Sequence, residues 1–199
     1  MVIKIDDYYS LFETLNHDAK IIGSGAEGVA FKTGSNVTKM LYDTSFIDSS
    51  RKIITSEDYN LESYIFPDKV LFYNNKYVGF ISKYFENDIF KNSKRCLTEN
   101  EIYNLLKARE KILKDTEKLS DDRIYLLDLE ENILFDGERL AVIDTTCYRK
   151  CNFDTEEDNI EGIDYAILRA LESNNRGFRR SRDLSFEENV KEYQKTICR

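Results

Sequence analysis

The sequence has no tryptophan, one proline and one histidine, and it has no long apolar run. A membrane-spanning helix needs roughly 18 or more consecutive apolar residues, so we expect no membrane partner. The opening MVIKIDDYYS also lacks the basic and apolar regions of a secretory signal peptide. These absences favour a cytoplasmic protein, or one delivered into a host cell without a recognisable signal peptide. A chain of 199 residues is large enough for one core or two small lobes.

The four cysteines do not have the pattern of a disulfide framework or of a zinc site. Cys147 and Cys151 form the closest pair, but no second pair and no nearby histidine completes a tetrahedral set of ligands. We therefore expect free thiols. The single histidine, His17, lies in a polar stretch, where a surface position or a helix end is the expected role.

Acidic residues outnumber basic ones by 37 to 29, which gives a formal net charge of −8. A field of this sign repels phosphate backbones, so nucleic acid is not an expected partner. One basic cluster stands out near the C-terminal end, and we interpret it as a solvated face, with a small site for an acidic ligand as the alternative. Its members are Arg176, Arg179, Arg180, Arg182 and Arg199.

The first half of the chain alternates short strand-like runs with turns, and a helix is predicted between the third and fourth runs, over Ser49–Asn60. Together the runs predict a five-stranded antiparallel sheet with one helix. The strands are predicted over Ala19–Ile22, Gly28–Lys32, Asn36–Leu41, Val70–Tyr73 and Tyr77–Ile81.

The second half has stronger helical patterns. Thr98 and Glu101 have the spacing of a capping box that opens a long helix, and Asp136-Gly137 predicts a hairpin turn. We therefore expect an α+β protein with an N-terminal lobe over 1–84 and a reduced, mainly helical lobe over 85–199. The remaining predicted elements are strands Ile133–Phe135 and Arg139–Ile143 and helices Ile160–Leu171 and Glu187–Ile197.

A glycine-rich segment joins the first two predicted strands. Gly23, Gly25 and Gly28 occupy the glycine positions of G-x-G-x-x-G, and Ser24 lies between the first two. The chain continues as a strand where a dinucleotide-binding loop needs a helix, and no Gly-Lys-Ser/Thr follows, which excludes a P-loop. A glycine loop followed by a strand with Lys39 suits a flap over nucleotide phosphates. The alternative is a solvated strand lysine.

A second group of polar residues follows short apolar strands. Asp128, Asn132 and Asp144 supply oxygen ligands of the kind that Mg²⁺ prefers. The alternative makes the first two turn-forming residues and the third a cap at a strand end.

Taken in this order, the glycine loop, the strand lysine and the acidic pair resemble the protein-kinase-like family, over about residues 19–171. The resemblance implies a two-lobed fold in which Lys39 binds phosphates, Asp128 is the catalytic base, and Asn132 and Asp144 bind Mg²⁺. It also implies a cofactor site in which Ala30 and Val37 cover the adenine. Lys83, Tyr84 and Phe85, at the end of the Ser82–Phe85 segment, would be the hinge that meets the adenine edge.

Several positions depart from the family pattern. At the position of the H-R-D motif the chain has Leu126-Leu127-Asp128, so the His and Arg that support the catalytic loop in the family are absent. At the position of D-F-G it has Asp144-Thr145-Thr146. Glu57 and Glu62 are the candidates for the glutamate that pairs with Lys39.

The resemblance implies ATP- and Mg²⁺-dependent phosphoryl transfer to a hydroxyl acceptor, with Ser or Thr of a protein substrate as the preferred acceptor. Two alternatives stay open. The chain would be a pseudokinase that binds a nucleotide or a partner without catalysis, or a kinase-like transferase of AMP.

Overall fold

The computed structural model describes residues 1–48, 52–92 and 95–197. The chain is α+β and divides into two compact units, one formed by Met1–Asn60 and Ile65–Tyr84, the other by Leu61–Tyr64 and the chain from Phe85 onward. The assignment of 61–64 to the first lobe was therefore wrong. None of the described helices is long and apolar enough to cross a membrane.

The first unit is built on a seven-stranded mixed sheet in the order β1-β6-β7-β4-β3-β2, with β5 also paired to β7. Strands β1 and β6 are parallel, and the other pairs are antiparallel. The expected five antiparallel strands are present, but β1 and β5 were not predicted. The strands are β1 (Val2–Lys4), β2 (Lys20–Ser24), β3 (Gly28–Thr33), β4 (Asn36–Leu41), β5 (Ile47–Asp48), β6 (Lys69–Tyr73) and β7 (Lys76–Lys83).

One face of this sheet packs against α1 (Tyr8–Asp18), a helix that the sequence patterns did not predict. Asp7 caps its first turn by accepting a hydrogen bond from the amide of Ser10 at 3.1 Å. Its partly buried residues pack with Val29, Phe31 and Met40. These three residues therefore identify the helix-covered face of the sheet.

The helix predicted over Ser49–Asn60 was wrong, because residues 52–60 are irregular and the first three positions lie outside the described residues. The Asp58 carboxylate accepts hydrogen bonds from the amide of Thr55 at 3.0 Å and from its hydroxyl at 3.1 Å. Such local bonds between side chain and backbone compete with helix formation. The segment that would carry Glu57 on a helix is therefore a turn.

The second unit is mainly helical, as expected. The capping box at Thr98 and Glu101 is confirmed, since each side chain bonds to the backbone amide of the other. The predicted closing helices are also confirmed, although both begin earlier than expected. The helices are α2 (Ile89–Asn92), α3 (Glu99–Asp121), α4 (Glu156–Asn174) and α5 (Phe186–Ile197).

Residues 61–64 belong to the second unit because their polar groups bond to α3 and to a strand of that unit. The Ser63 amide donates to the Asp115 carboxylate at 3.1 Å, and the Ser63 carbonyl accepts from the amide of Val142 at 2.8 Å. The hydroxyls of Tyr64 and Thr116 lie 2.6 Å apart. Ser63, Tyr64 and Asp115 are all buried, so these bonds are protected from water.

Two small antiparallel sheets complete the second unit. In one, β9 (Ile133–Phe135) pairs with β10 (Leu140–Val142) across the predicted turn, and in the other β8 (Ile124–Tyr125) pairs with β11 (Arg149–Lys150). The predicted acidic residues lie in the loops that leave β8 and β10. These loops hold the second group of candidate functional residues.

Candidate functional site

The glycine loop lies between β2 and β3 in the first unit. The amide of Gly25 donates to the carbonyl of Gly28 at 3.0 Å, and the amide of Tyr42 donates to the carbonyl of Glu27 at 2.8 Å. The loop is therefore tied across its base and to the end of β4. Within the described chain, the amides of Ala26 and Glu27 have no acceptor, so they are the two amides that the loop offers to an anion.

The three glycines of the loop differ in the space that a side chain would have at each position. A Cβ on Gly28 would lie 2.1 Å from the Met40 carbonyl oxygen, whereas a Cβ on Gly25 would meet nothing within 4 Å and one on Gly23 only Ala30, at 3.9 Å. Gly28 is therefore required by the close approach of β3 to β4. Gly25 is free of that constraint and keeps the space around the exposed loop clear.

Lys39 lies on the sheet face opposite α1. Ala30 and Phe80 are its direct neighbours on β3 and β7, and directly opposed residues of antiparallel strands share a face. Val37 is two residues earlier on β4 and shares the same face. The sheet therefore brings Ala30, Val37 and Lys39 together, as the nucleotide interpretation requires.

The carboxylate that lies beside Lys39 does not belong to either of the expected glutamates. Its ammonium nitrogen lies 3.8 Å from the carboxylate of Glu27, and its side chain is only 13% exposed. Glu57 instead pairs with the N-terminal ammonium of Met1 at 3.2 Å, and Glu62 pairs with Lys111 of α3. The expectation that Glu57 or Glu62 serves Lys39 is therefore replaced by Glu27, a residue within the glycine loop.

The proposed hinge is partly used by the sheet itself. The amide of Tyr84 donates to the carbonyl of Ser35 at 2.9 Å, so it is not available to an adenine edge. Lys83 is the last residue of β7 and is exposed. Phe85 is buried, with the guanidinium of Arg139 over its ring at 5.5 Å. The Tyr84 amide therefore stabilises the first unit and does not serve as the predicted hinge donor.

In the second unit, Asp128 and Asn132 form one hydrogen-bonded loop. The Asn132 side-chain nitrogen donates to the Asp128 carbonyl at 2.7 Å and lies 3.3 Å from the Asp128 carboxylate. Asp128 has a positive φ of 58°, an uncommon conformation for a residue with a side chain. Because the side-chain nitrogen is used in this way, the carboxamide oxygen is the Asn132 atom that remains to bind a metal ion.

Hydrogen bonds of the Cys147 thiol connect Asp144 to the same loop. Asp144 precedes a short 3-10 turn over Thr145–Cys147, and its φ of 56° is also positive. The Cys147 thiol donates to the Leu127 carbonyl at 3.3 Å, and its sulfur lies 3.9 Å from the Asp144 carbonyl. Leu127 immediately precedes Asp128, so the thiol connects the two acidic loops. Two aspartates in a sparsely populated conformation at one location are typical of functional sites.

Tyr148 lies beside these loops. It is almost fully buried, and burial raises the pKa of its hydroxyl well above the ordinary value, with smaller contributions from Tyr64, Cys147, Asp144 and Asp128. Its hydroxyl has no hydrogen-bond partner in the described chain, and neither has that of Thr145. Two unsatisfied buried hydroxyls next to two carboxylates are unusual.

The described residues contain no group of three or more His, Cys, Asp and Glu side chains arranged to hold a metal ion. A Mg²⁺ ion that is bound together with a nucleotide needs only one or two protein carboxylates, because phosphates and water supply the other ligands. The Asp144 carboxylate and the Asn132 carboxamide oxygen fit that donor set.

A cavity of about 300 Å³ lies elsewhere in the first unit and is lined in part by Val2, Glu57 and Phe72. It contains none of the glycine loop, Lys39 or the predicted hinge. It therefore gives no support to the nucleotide interpretation.

No protein-family model matches the chain, and no curated protein sequence is significantly similar to it. The functional interpretation therefore depends on the two groups of residues described above.

Three residues of the site were missed from the sequence. The sequence patterns give no functional role to Glu27, Cys147 or Tyr148. Cys96, Cys147 and Cys151 are indeed free thiols, while Cys198 lies outside the described residues. The replacement of the family's D-F-G by Asp-Thr-Thr was the one signal that the loop after Asp144 needs its own support.

Proposed function

We propose that this protein transfers a phosphoryl group from ATP to a hydroxyl acceptor, with Ser or Thr of a protein as the preferred acceptor. The observation that carries the proposal is the hydrogen-bonded loop of Asp128 and Asn132, which Cys147 connects to Asp144. A base, an amide oxygen and a second carboxylate are the groups that this reaction needs from the loops of the second unit.

Each residue has a defined role in this proposal. Asp128 orients the acceptor hydroxyl and takes its proton, and Lys39 and the free amides of the glycine loop bind phosphate oxygens. Asp144 and Asn132 would hold Mg²⁺, which supplies positive charge to the phosphates when it is bound. Because phosphoryl transfer depends mainly on positioning and charge stabilisation, a chain with one exposed histidine at position 17 has the groups it needs.

The experiment is transfer from radiolabelled ATP to the protein itself and to a mixed set of Ser/Thr peptides, in the presence of Mg²⁺. Asp144→Ala is expected to lower the rate on the order of a hundredfold or more, as the loss of a preorganised charge does elsewhere. Asp158→Ala is the matched control, because it removes an exposed carboxylate of α4. Equal incorporation by wild type and Asp144→Ala would contradict the proposal.

A non-catalytic nucleotide-binding function is the second candidate, and the pair of Lys39 with Glu27 favours it. The Glu27 carboxylate, 3.8 Å from the ammonium, competes with phosphate for Lys39. In addition, Glu57 is not on a helix and pairs with the N-terminal ammonium of Met1, so it does not take the role that the kinase-like pattern gives to a glutamate. Thermal-shift titration with ATP and Mg²⁺ separates the two: strong stabilisation without any transfer favours the non-catalytic function. Mass spectrometry of the product separates phosphoryl from AMP transfer.

A further inference from the structure

The loop between α4 and α5 presents an uncommon set of arginines. Arg176, Arg179 and Arg182 are exposed, at intervals of three residues along the loop. Arg180 differs from them, because its guanidinium packs over the ring of Tyr165 at 4.0 Å and lies 3.9 Å from the carboxylate of Glu172. One arginine therefore attaches the loop to α4, and three are left on its surface.

Buried polar side chains give this loop a fixed conformation. Asn189 is 1% exposed. Its side-chain nitrogen donates to the carbonyls of Ser181, Leu184 and Ser185 at 2.9 to 3.0 Å. Its side-chain oxygen accepts from the Ser181 amide at 2.8 Å. At the other end, the oxygen of Asn175 accepts from the Gly177 amide at 2.9 Å. The arginines are therefore carried on an ordered backbone.

Phe178 anchors the middle of the loop. It is 1% exposed, and its ring packs edge-on against Tyr193 of α5 with the centroids 5.3 Å apart. Arg179 follows directly and donates to the Phe178 carbonyl at 2.9 Å. The loop thus has a buried side that holds it and an exposed side that carries charge.

None of the three exposed arginines has a carboxylate partner within the described chain. Several other exposed cations of the chain do have such partners. Examples are the pairs Lys52–Asp58, Arg95–Glu101, Arg139–Asp136 and Lys195–Glu192. The unpaired guanidinium groups are therefore available to an external anion.

We propose that this arginine loop, residues 175–185, binds an acidic segment of a protein partner. Planar guanidinium groups pair well with carboxylates, and three groups spaced along a loop suit several carboxylates of an extended peptide.

The test measures binding of a fluorescent peptide with alternating Asp and Ser residues by anisotropy, at low salt and without ATP. Each exposed ion pair contributes only modestly to binding, so Arg176→Ala/Arg179→Ala/Arg182→Ala together are expected to weaken binding about tenfold. Lys107→Ala/Lys114→Ala/Lys191→Ala removes the same charge from exposed helix positions and is expected to keep binding within about twofold of wild type. Circular dichroism verifies that each variant is folded.

A second variant, Arg176→Glu/Arg182→Glu, is expected to abolish binding of the acidic peptide and to permit binding of a Lys-Ser peptide. The proposal is overturned if the acidic peptide does not bind the wild type, if both triple variants lose affinity equally, or if an RNA oligonucleotide of equal charge binds more tightly than the peptide. Because ATP is absent, a failure of phosphoryl transfer leaves these outcomes unaffected. Conversely, loss of peptide binding leaves self-phosphorylation measurable.

Discussion

The side-chain amide of Asn132 donates to the backbone carbonyl of Asp128 at 2.7 Å. The bond spans four residues and closes a loop in which Asp128 has a positive φ. It therefore fixes both the conformation of the proposed base and the orientation of the carboxamide. One residue thereby couples the two roles that the proposed function assigns to this loop.

Replacing Asn132 with Ala removes that bond and the carboxamide oxygen together. We expect phosphoryl transfer to fall on the order of a hundredfold, because a positioned base and a preorganised ligand are lost at once. The melting temperature should change little, since the bond lies near the surface. Glu131→Ala is the control at an adjacent exposed position. Equal loss of activity in both variants would contradict the role of Asn132.

Cys147 should act as a positioning residue, since its thiol connects the carbonyls next to Asp128 and at Asp144. Cys147→Ala is expected to lower kcat several-fold and to raise KM for ATP by a smaller factor, because the acids move but Lys39 and the amides of the glycine loop do not. Cys147→Ser keeps a donor and should restore most of the rate. Cys151→Ala, at a thiol that lies 3.9 Å from the Arg149 carbonyl, is the control. A serine variant no better than alanine would contradict this role.

Five of the seven strands of the first unit and the capping box of α3 were predictable, because their signals are local. Alternation with period two and a turn such as Asn74-Asn75, where both residues have positive φ, specify a hairpin within a few residues. The face shared by Ala30, Val37 and Lys39 follows from the same alternation. The grouping of these three residues in the first unit therefore needed no tertiary information.

The remaining features depend on contacts that the sequence pattern does not contain. The thiol of Cys147 bonds to a carbonyl 20 residues away, and the amide of Ser63 bonds to Asp115 over 52 residues. The absence of the helix predicted over Ser49–Asn60 has a local cause instead, because the Asp58 carboxylate accepts hydrogen bonds from the amide and hydroxyl of Thr55. Periodicity was weak there, and side-chain hydrogen bonding decided the outcome.

Two glycines of the loop should have separate effects, one on stability and the other on nucleotide binding. Gly28→Ala should lower the free energy of unfolding by at least about 2 kcal/mol, because its Cβ would overlap the Met40 carbonyl. Gly25→Ala has open space and should keep wild-type stability while weakening ATP binding several-fold. Urea unfolding and nucleotide titration measure the two effects. The interpretation fails if Gly28→Ala is as stable as Gly25→Ala.

Acid stability should depend on Glu101. Two side-chain hydrogen bonds from Arg95, at 2.6 and 2.7 Å, and bonds from Thr98 lower the pKa of Glu101 from 4.5 to about 2. A depressed pKa stabilises the folded state above about pH 4.5, and this contribution is lost as the pH falls towards 2.

Glu101→Gln should therefore be less stable than wild type near neutral pH, and the difference should shrink as the pH falls from about 5 to about 2. Urea unfolding at a series of pH values measures it. Glu99→Gln, at an exposed position of the same first turn, is the control. A constant difference across this pH range would show that the charge of Glu101 does not contribute.

Tyr148 and Tyr193 are both buried tyrosines, but only Tyr193 has a described partner for its hydroxyl, which accepts from the amide of Leu97 at 2.8 Å. A buried hydroxyl without a partner costs about 1–3 kcal/mol. Tyr148→Phe should therefore raise the free energy of unfolding by about 1 kcal/mol, and Tyr193→Phe should lower it by a similar amount. Urea unfolding of both variants gives the comparison. If Tyr148→Phe destabilises the protein as much as Tyr193→Phe does, the Tyr148 hydroxyl has a partner such as a buried water beside the two aspartates.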